Sequence, residues 1–233
     1  MDFTDRHVVV TGGTGALGTA VTGRLLDLGA TCHIPNLQAD ELTRFPHAGH
    51  DRVRVTPGVD LTDAPAVDAF YGTLPSLWAS IHLAGGFDMA SLAHTSAEAF
   101  TGQMTMNATT CFLCCRAAAG AIRASGGGGR IVNVAARPGL EPRQGAGMAA
   151  YAASKAAVAA LTQALGEELA AEGIWVNAVA PSILDTPANR AAMPDADHDA
   201  WPKVSAVAEA IVFLASPENG AGRGGVLPVY GRV

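Results

Sequence analysis

Short runs of β-branched and other apolar residues alternate along the chain with longer stretches of helical periodicity. The first run is Val8-Val9-Val10, and the apolar stripe of the stretch after it consists of Leu17, Val21, Leu25 and Leu28. Strands that alternate with helices in this way are typical of a parallel sheet with helices on both faces, because each crossover between parallel strands needs a helix-sized connection.

The same alternation predicts seven strands, at residues 8–10, 30–34, 52–55, 80–84, 130–134, 174–179 and 226–229. Helices are predicted at residues 17–28, 64–74, 97–124, 151–171 and 204–215. Pro35 is expected to end the second strand because proline lacks a backbone N–H. Residues 187–202 lack periodicity and predict a loop or short helices over a pocket. We therefore predict one α/β domain over residues 1–233, a doubly wound Rossmann-type fold with a seven-stranded parallel sheet.

Composition and charge narrow the possible partners. Hydrophobic residues make up 49% of the chain and charged residues 15%, against a usual charged share of about 25%. The high hydrophobic fraction excludes disorder. The low charged fraction favours a homotetramer or homodimer that buries much of the surface, although a high alanine content alone produces the same low charged fraction. The net charge of −6, without any basic run, argues against nucleic acid binding. No secretory signal or membrane span is present, so we expect a cytoplasmic protein that acts on a small-molecule substrate.

The four cysteines are Cys32, Cys111, Cys114 and Cys115, and the last three share one face of a predicted helix. The paired spacing and the fourth ligand of a zinc site are absent from the sequence. We therefore expect small buried side chains and no metal site. His82, inside the fourth predicted strand, is expected to be packed and hydrogen-bonded rather than to face a ligand.

A glycine-rich turn directly follows the first strand and precedes a helix. Its sequence is Thr11-Gly12-Gly13-Thr14-Gly15-Ala16-Leu17-Gly18. Glycines at such a turn let backbone N–H groups approach a pyrophosphate, whose charge lies at the positive end of the helix. The strand before it and the helix after it make this a strong indication of dinucleotide binding.

A second motif opens the helix after the fifth strand. In Tyr151-Ala152-Ala153-Ser154-Lys155 the phenol and the ammonium group lie on one helix face, because residues four apart are neighbours there. Asn177-Ala178-Val179-Ala180-Pro181 follows in the sixth strand. Together with Gly12, Gly15 and Gly18 in TGxxGxxG spacing, these residues resemble the YxxxK and NxxxP motifs of the short-chain dehydrogenase/reductase superfamily, and the resemblance covers essentially the whole chain.

The resemblance implies an oxidoreductase that binds NAD or NADP. Tyr151 would be the catalytic acid/base, because a phenol that titrates near ~10 needs a nearby ammonium group and the oxidised nicotinamide to stabilise its phenolate. Lys155 and Asn107 would support it. The implied cofactor contacts are Thr11, Gly12, Thr14, Gly15, Ala16, Leu17, Gly18, Asp60, Leu61, Ala84, Gly85, Gly86, Asn107, Tyr151, Lys155, Pro181 and Thr186.

The end of the second strand normally distinguishes NAD from NADP, through an acid for the ribose 2′-hydroxyl or an arginine for the 2′-phosphate. That position falls on Asn36 or on Pro35, so the usual discriminator is absent. Asparagine can bind the hydroxyl, and no neighbouring arginine is available for a phosphate. NAD is favoured by a small margin.

One catalytic residue of the superfamily is missing. The serine that orients the substrate carbonyl aligns with Ala136, and Arg137 beside it is expected to be an exposed loop arginine rather than a substitute donor. The quinonoid dihydropteridine reductase branch also lacks this serine, and the segments 184–190 and 193–197 resemble its LDTPxNR and MPxAD. Three functions follow: reduction or oxidation with Tyr151 as acid/base, reduction of a conjugated imine or quinone-like substrate, and dinucleotide binding with little turnover.

Overall fold

The computed structural model describes residues 1–233 and contains one seven-stranded sheet in which all neighbouring strands are parallel. The strands are β1 (His7–Thr11), β2 (Thr31–Asn36), β3 (Val53–Pro57), β4 (Ala79–His82), β5 (Gly129–Val134), β6 (Ile174–Pro181) and β7 (Val226–Val229). Their order is β3-β2-β1-β4-β5-β6-β7, so the chain reverses direction across the sheet between β1 and β4. The predicted fold class is confirmed, and ligands of such sheets bind at the carboxyl ends of the strands at this reversal.

Eight helices connect the strands and cover the sheet. They are α1 (Ala16–Asp27), α2 (Ala64–Gly72), α3 (Ala97–Met104), α4 (Thr110–Ala124), α5 (Arg137–Leu140), α6 (Ala149–Glu168), α7 (Pro187–Ala192) and α8 (Val204–Ala215). None of them is both long and apolar enough to cross a membrane.

Successive residues of each strand point to opposite faces and so enter two separate cores. Val8 and Val10 of β1 pack in the cluster that contains α1 and α8, whereas Val9 packs in the cluster that contains α2, α4 and α6. The apolar runs without polar alternation in the inner strands follow from this, since both faces of those strands are buried, whereas the edge strands β3 and β7 are partly exposed.

Several predicted boundaries differ from the structure by a few residues, and two of the differences have a clear physical reason. Strand β2 continues through Pro35 to Asn36, because its pairing with β1 ends at His33 and Pro35 faces a partner strand on one side only. The helix predicted over residues 97–124 is interrupted by a wider π-helical turn at Thr105–Thr109, which separates α3 from α4. Such turns are frequent at functional sites, and Asn107 lies inside this one.

The segment without periodicity contains α7 and a single 3-10 turn, His198–Ala200. The Asp185 carboxylate accepts from Arg190 Nε at 2.5 Å and from Lys203 Nζ at 2.7 Å, which holds both ends of the segment together. These charged partners lower the pKa of Asp185 well below its usual range. The segment is therefore an ordered cover beside the carboxyl end of β6.

Candidate active site

The residues of the glycine-rich turn meet the loop after β4 where the strand order reverses. A Cβ atom on Gly12, which has φ +62°, would lie 2.8 Å from the Ala84 backbone nitrogen. A Cβ on Gly18 would lie 2.1 Å from the Gly12 carbonyl oxygen. The Ala84 N–H in turn donates to Thr11 Oγ1 at 3.2 Å. The two turns are thus packed backbone to backbone, and glycine is required at both positions.

The amino end of α1 is open towards this turn. Its N-cap residue, Gly15, makes no side-chain cap, and the first turn, with Ala16 and Leu17, contains no acidic residue. Backbone N–H groups at such an end carry partial positive charge and suit an anion. The donor set and the space reserved by the glycines therefore fit a dinucleotide pyrophosphate.

At the end of β2 the structure places a carboxylate that the sequence analysis missed. Glu41 Oε2 accepts hydrogen bonds from Thr14 Oγ1 and from Asn36 Nδ2, the latter at 3.2 Å. Asn36 is buried, and its Oδ1 has no hydrogen-bond partner. Glu41 lies in the 3-10 turn Ala39–Arg44, five residues past the end of the strand, where no fixed spacing marks it.

The turn after β3 lies next to Asn36, because the Val59 N–H donates to the Asn36 carbonyl at 3.2 Å. Asp60 uses its own carboxylate to accept from the Thr62 N–H at 2.8 Å, and these hydrogen bonds lower its pKa. Leu61 packs against the core cluster under α2. Asp60 and Leu61 are therefore held at the same edge of the sheet as Asn36.

Tyr151, Lys155 and Asn107 come together on the other side of the reversal. Lys155 Nζ donates to the Val134 carbonyl at 2.9 Å and lies 6.0 Å from the centre of the Tyr151 ring. A Cβ on Gly85 would lie 2.5 Å from Asn107 Oδ1 and 3.4 Å from Lys155 Nζ. Gly85 therefore separates the lysine from the asparagine, and only glycine fits between them.

The π-helical turn aims the Asn107 side chain at the loop after β4. Asn107 Oδ1 accepts from the Gly86 N–H at 3.1 Å, and its Nδ2 donates to the Gly86 carbonyl at 3.0 Å and to Ser154 Oγ at 3.1 Å. Ser154 Oγ donates to the Tyr151 carbonyl at 2.8 Å. Ser154 is a second residue that sequence reasoning missed, since it lies inside the Tyr-x-x-x-Lys motif and carries no signal of its own.

Burial changes the proton affinities of both motif residues. It raises the pKa of Tyr151 to about 12 and lowers the pKa of Lys155 to about 8. The ammonium group has no carboxylate partner and makes its hydrogen bond to a carbonyl. The folded protein therefore contains a buried lysine that lowers its stability. Such unfavourable burial of an ionisable group is common at functional sites.

Replacing Lys155 by methionine is expected to raise the free energy of unfolding by about 1–3 kcal/mol at pH 7, since a pKa lowered from 10.5 to about 8 reflects an unfavourable buried charge of that order. Below pH 8 both states of the wild type are protonated and the full penalty is present. Between pH 8 and 10.5 the folded wild type loses its proton before the unfolded chain does. The advantage of Lys155→Met in unfolding free energy should therefore decrease over this range and vanish. Chemical denaturation at pH 7 and pH 10.5 measures this. A variant less stable than the wild type at pH 7 would contradict it.

No hydroxyl stands at the serine position. Ala136 is buried at the start of α5. The neighbouring Arg137 donates from Nε to Glu141 Oε2 at 2.9 Å, and its guanidinium lies 4.8 Å from the centre of the Tyr230 ring. Arg137 is therefore already engaged and does not replace the serine hydroxyl.

Apolar side chains surround the exposed side of Tyr151. Phe87 packs edge to face against the tyrosine ring, with centroids 4.9 Å apart, and remains largely exposed. Met89 lies against Gly147, just before α6, and Met106 covers Gly86. Phe87 is thus the apolar side chain in contact with the tyrosine ring, and the two methionines lie against neighbouring backbone at Gly147 and Gly86.

The remaining expected cofactor contacts follow β6. Pro181 is the last residue of the strand and pairs with Val229 of β7. Thr186 caps α7, with its Oγ1 accepting from the Asn189 N–H at 3.2 Å. All the residues expected from the sequence therefore lie after the carboxyl ends of β1 to β6, with the Asn36 and Tyr151 groups on opposite sides of the reversal.

Residues 6–197 match the family model described as short chain dehydrogenase. The chain belongs to the short-chain dehydrogenase/reductase family. It is accordingly an oxidoreductase, as its named dehydrogenase relatives are. Membership shows the family as a whole and does not single out the dihydropteridine reductase branch.

This short-chain dehydrogenase/reductase is 34% identical over 98% of its length to a cis-4-hydroxycyclohexanecarboxylate dehydrogenase from Sinomonas cyclohexanicum, of which the match covers 96%. A solved short-chain type dehydrogenase/reductase from Mycobacterium ulcerans superimposes with a TM-score of 0.87 at 26% identity, covering 100% of this chain and 90% of that one. The protein ElxO, solved with NADP bound, gives a TM-score of 0.87 at 24% identity over 97% of both chains and shows the fold alone.

Proposed function

We propose that this protein is an NAD-dependent oxidoreductase that interconverts an apolar alcohol and its carbonyl compound, with Tyr151 as the acid/base. The observation that carries the proposal is the cluster of Tyr151, Lys155 and Asn107 around Gly85 at the reversal of the strand order. The dinucleotide supplies a hydride acceptor or donor when it is bound. Alcohol oxidation then balances as loss of a hydride from carbon and of a proton from the hydroxyl.

The residues of this chain have separate parts in that reaction. The turn from Gly12 to Gly18, with Thr11 beside it, binds the pyrophosphate through backbone N–H groups. Asn36, Asp60 and Leu61 bind the adenosine end, and Ala84, Gly85, Gly86, Pro181 and Thr186 border the nicotinamide end. Tyr151 holds the proton that the substrate oxygen gains or loses, Lys155 stabilises the phenolate, and Asn107 keeps the loop after β4 against α6.

The position of Glu41 supports NAD rather than NADP. A carboxylate hydrogen-bonded to Asn36 and Thr14 accepts from ribose hydroxyls, but it repels a 2′-phosphate. The orphaned Asn36 Oδ1 offers a further acceptor beside it. Although ElxO was solved with NADP, the charge at this point of the present chain favours the other cofactor.

Glu41→Gln is expected to reduce the preference for NAD over NADP by about 10- to 100-fold, because hydrogen bonds to charged groups contribute about 1.5–3 kcal/mol. The ratio of the two dissociation constants, measured by calorimetry, tests this. Asp40→Asn is the matched control, since Asp40 lies in the same turn but points to the exposed Arg44. Tighter binding of NADP than of NAD by the wild type would refute the preference.

The environment of the tyrosine supports an apolar substrate. Phe87 offers an exposed ring next to Tyr151, and Arg137, the cation that follows β5, is engaged with Glu141. The relative named for a hydroxycyclohexanecarboxylate supports a cyclic secondary alcohol as the substrate, although the compound in that name also carries a carboxylate. NADH and NADPH oxidation, monitored by absorbance with cyclic ketones, quinones and quinonoid pterins, tests the reaction, and no turnover with any of them would contradict it.

Ala136 supports a second candidate, reduction of a conjugated imine such as a quinonoid dihydropterin. An electron-poor imine regains conjugation when it accepts hydride, so it needs less polarisation by a hydroxyl group. In the same screen, turnover of quinonoid pterins without turnover of ketones would identify this reaction.

We also propose a homodimer or homotetramer that packs through α4 and α6. Phe112 is 44% exposed on α4, and small residues beside it allow close approach of a second helix. Phe112→Asp is expected to lower the mass measured by light scattering at micromolar concentration. Phe213→Asp, at a residue 48% exposed on α8, is the matched control on the opposite face of the sheet. A monomeric wild type would contradict the proposal.

A further inference from the structure

A buried cluster of sulfur, nitrogen and oxygen atoms lies where α4 packs against β4 and β5. It joins the last residue of β4, two cysteines one helical turn apart on α4, and an asparagine of β5. Its members are His82, Cys111, Cys115 and Asn133, which are 4%, 6%, 2% and 0% exposed. The proposed reaction uses none of these side chains.

The ligand atoms of the cluster are already close to one another. One ring nitrogen of His82, Cys111 Sγ and Cys115 Sγ all lie within 4.8 Å of each other. His82 Nδ1 is 2.8 Å from Asn133 Oδ1, and Cys115 Sγ is 3.6 Å from the same nitrogen. A tetrahedral zinc ion, with Zn–S near about 2.3 Å and Zn–N near about 2.0 Å, sets its ligand atoms about 3.3–3.8 Å apart. Side-chain adjustments of about 1 Å would therefore bring the histidine and both sulfurs to these separations, and Asn133 Oδ1, beside His82 Nδ1 and Cys115 Sγ, is the nearest candidate for the fourth ligand.

Neighbouring groups orient both strand residues towards the cysteines. The far nitrogen of the imidazole, His82 Nε2, is 2.9 Å from Ser80 Oγ, and Ser80 Oγ is 2.8 Å from the Tyr71 hydroxyl. Asn133 Oδ1 can only accept, so in this structure Nδ1 carries the imidazole proton and donates it to Asn133. Transfer of that proton to Nε2, which would then donate to Ser80 Oγ, would free the Nδ1 lone pair for a metal ion. Asn133 Nδ2 donates to Thr162 Oγ1 at 3.0 Å, which leaves its Oδ1 facing the cluster.

Charge and ligand type indicate which ion suits the site. Two thiolates and a dication are neutral together, which permits full burial, whereas a monovalent ion would leave a net negative charge away from water. Thiolate and imidazole ligands in tetrahedral arrangement are typical of zinc. Cys114 lies on the same helix but contacts Tyr71 instead, so it is not a member of the cluster.

We propose that His82, Cys111, Cys115 and Asn133 form a structural zinc(II) site. Binding exchanges two thiol protons, released to solvent, for one Zn²⁺, and no electron is transferred. The site would tie α4 to β4 and β5 directly behind the loop that holds Asn107. Sequence spacing could not indicate it, because two of the four ligands come from strands that are distant in the chain.

The test uses the full chain. The protein is unfolded in denaturant that contains a chelator and a thiol reductant, and is then transferred to metal-free buffer. It is refolded there with one equivalent of Co²⁺ as a spectroscopic probe. The expected result is one bound cobalt per chain and a thiolate-to-cobalt absorption band, which one equivalent of Zn²⁺ removes. Cys111→Ser and Cys115→Ser should lose most of the band. Cys114→Ser, an equally buried thiol on the same helix, should retain it.

Three results would overturn the proposal. They are a refolded wild type without bound cobalt, a cobalt spectrum without thiolate ligation, and an equal loss of the band in Cys114→Ser and Cys111→Ser. If the serine variants do not refold, the wild-type spectrum decides alone, because its intensity reports the number of coordinated thiolates. An increase in the Tm of the wild type with equimolar Zn²⁺, absent with Mg²⁺, would support the site independently of enzyme activity.

Discussion

Tyr151→Phe is expected to lower kcat by about 10²–10⁴-fold, the usual contribution of a positioned general acid or base. The phenylalanine ring keeps the edge-to-face contact with Phe87 and removes only the hydroxyl group that exchanges the proton. Cofactor affinity should therefore change little, because the glycine-rich turn and Asn36 lie on the other side of the reversal from Tyr151. Steady-state kinetics on the best substrate of the screen, with calorimetry for NADH, measures both quantities.

Tyr230→Phe is the matched control for this variant. It removes a phenol hydroxyl from a ring that contacts Arg137 and has no part in the proposed proton transfer, so kcat should be unchanged. Equal turnover by Tyr151→Phe and the wild type would refute the mechanism. If the wild type bound the cofactor and turned over no substrate, the chain would instead be a dinucleotide-binding protein.

Gly18→Ala is expected to weaken cofactor binding by about 5- to 150-fold, and Gly18→Val by more. The new Cβ would lie 2.1 Å from the Gly12 carbonyl oxygen, so the backbone of the turn has to move, at a cost of about 1–3 kcal/mol for overpacking. The movement displaces the N–H groups that face the pyrophosphate. Calorimetric titration with NADH measures the loss.

Gly102→Ala is the control for Gly18→Ala. Gly102 lies in α3 with no atom near the position of its Cβ, so alanine should bind the cofactor normally and add helix stability. If Gly18→Ala bound NADH as tightly as Gly102→Ala, the turn would not be the pyrophosphate site.

Local patterns determined those parts of the protein that depend on residues near one another in sequence. The strands and most helices follow from apolar periodicity, since the inner strands are covered on both faces. The glycine turn and the pair of Tyr151 and Lys155 follow from spacings of a few residues, which secondary structure converts directly into distances. The carboxyl ends of parallel strands then bring these motifs to one edge.

Tertiary contacts decided the rest. Strand β2 continues through Pro35 because its pairing with β1 stops at His33, and Asn107 faces Gly86 because one turn of its helix is wider than the others. Glu41 contacts Asn36 because the 3-10 turn after β2 brings the backbone back to the strand end, and no sequence motif marks this contact. His82 joins two cysteines only because β4 lies under α4. In each case the partner is distant in sequence or depends on an irregular backbone, and periodicity carries no information about either.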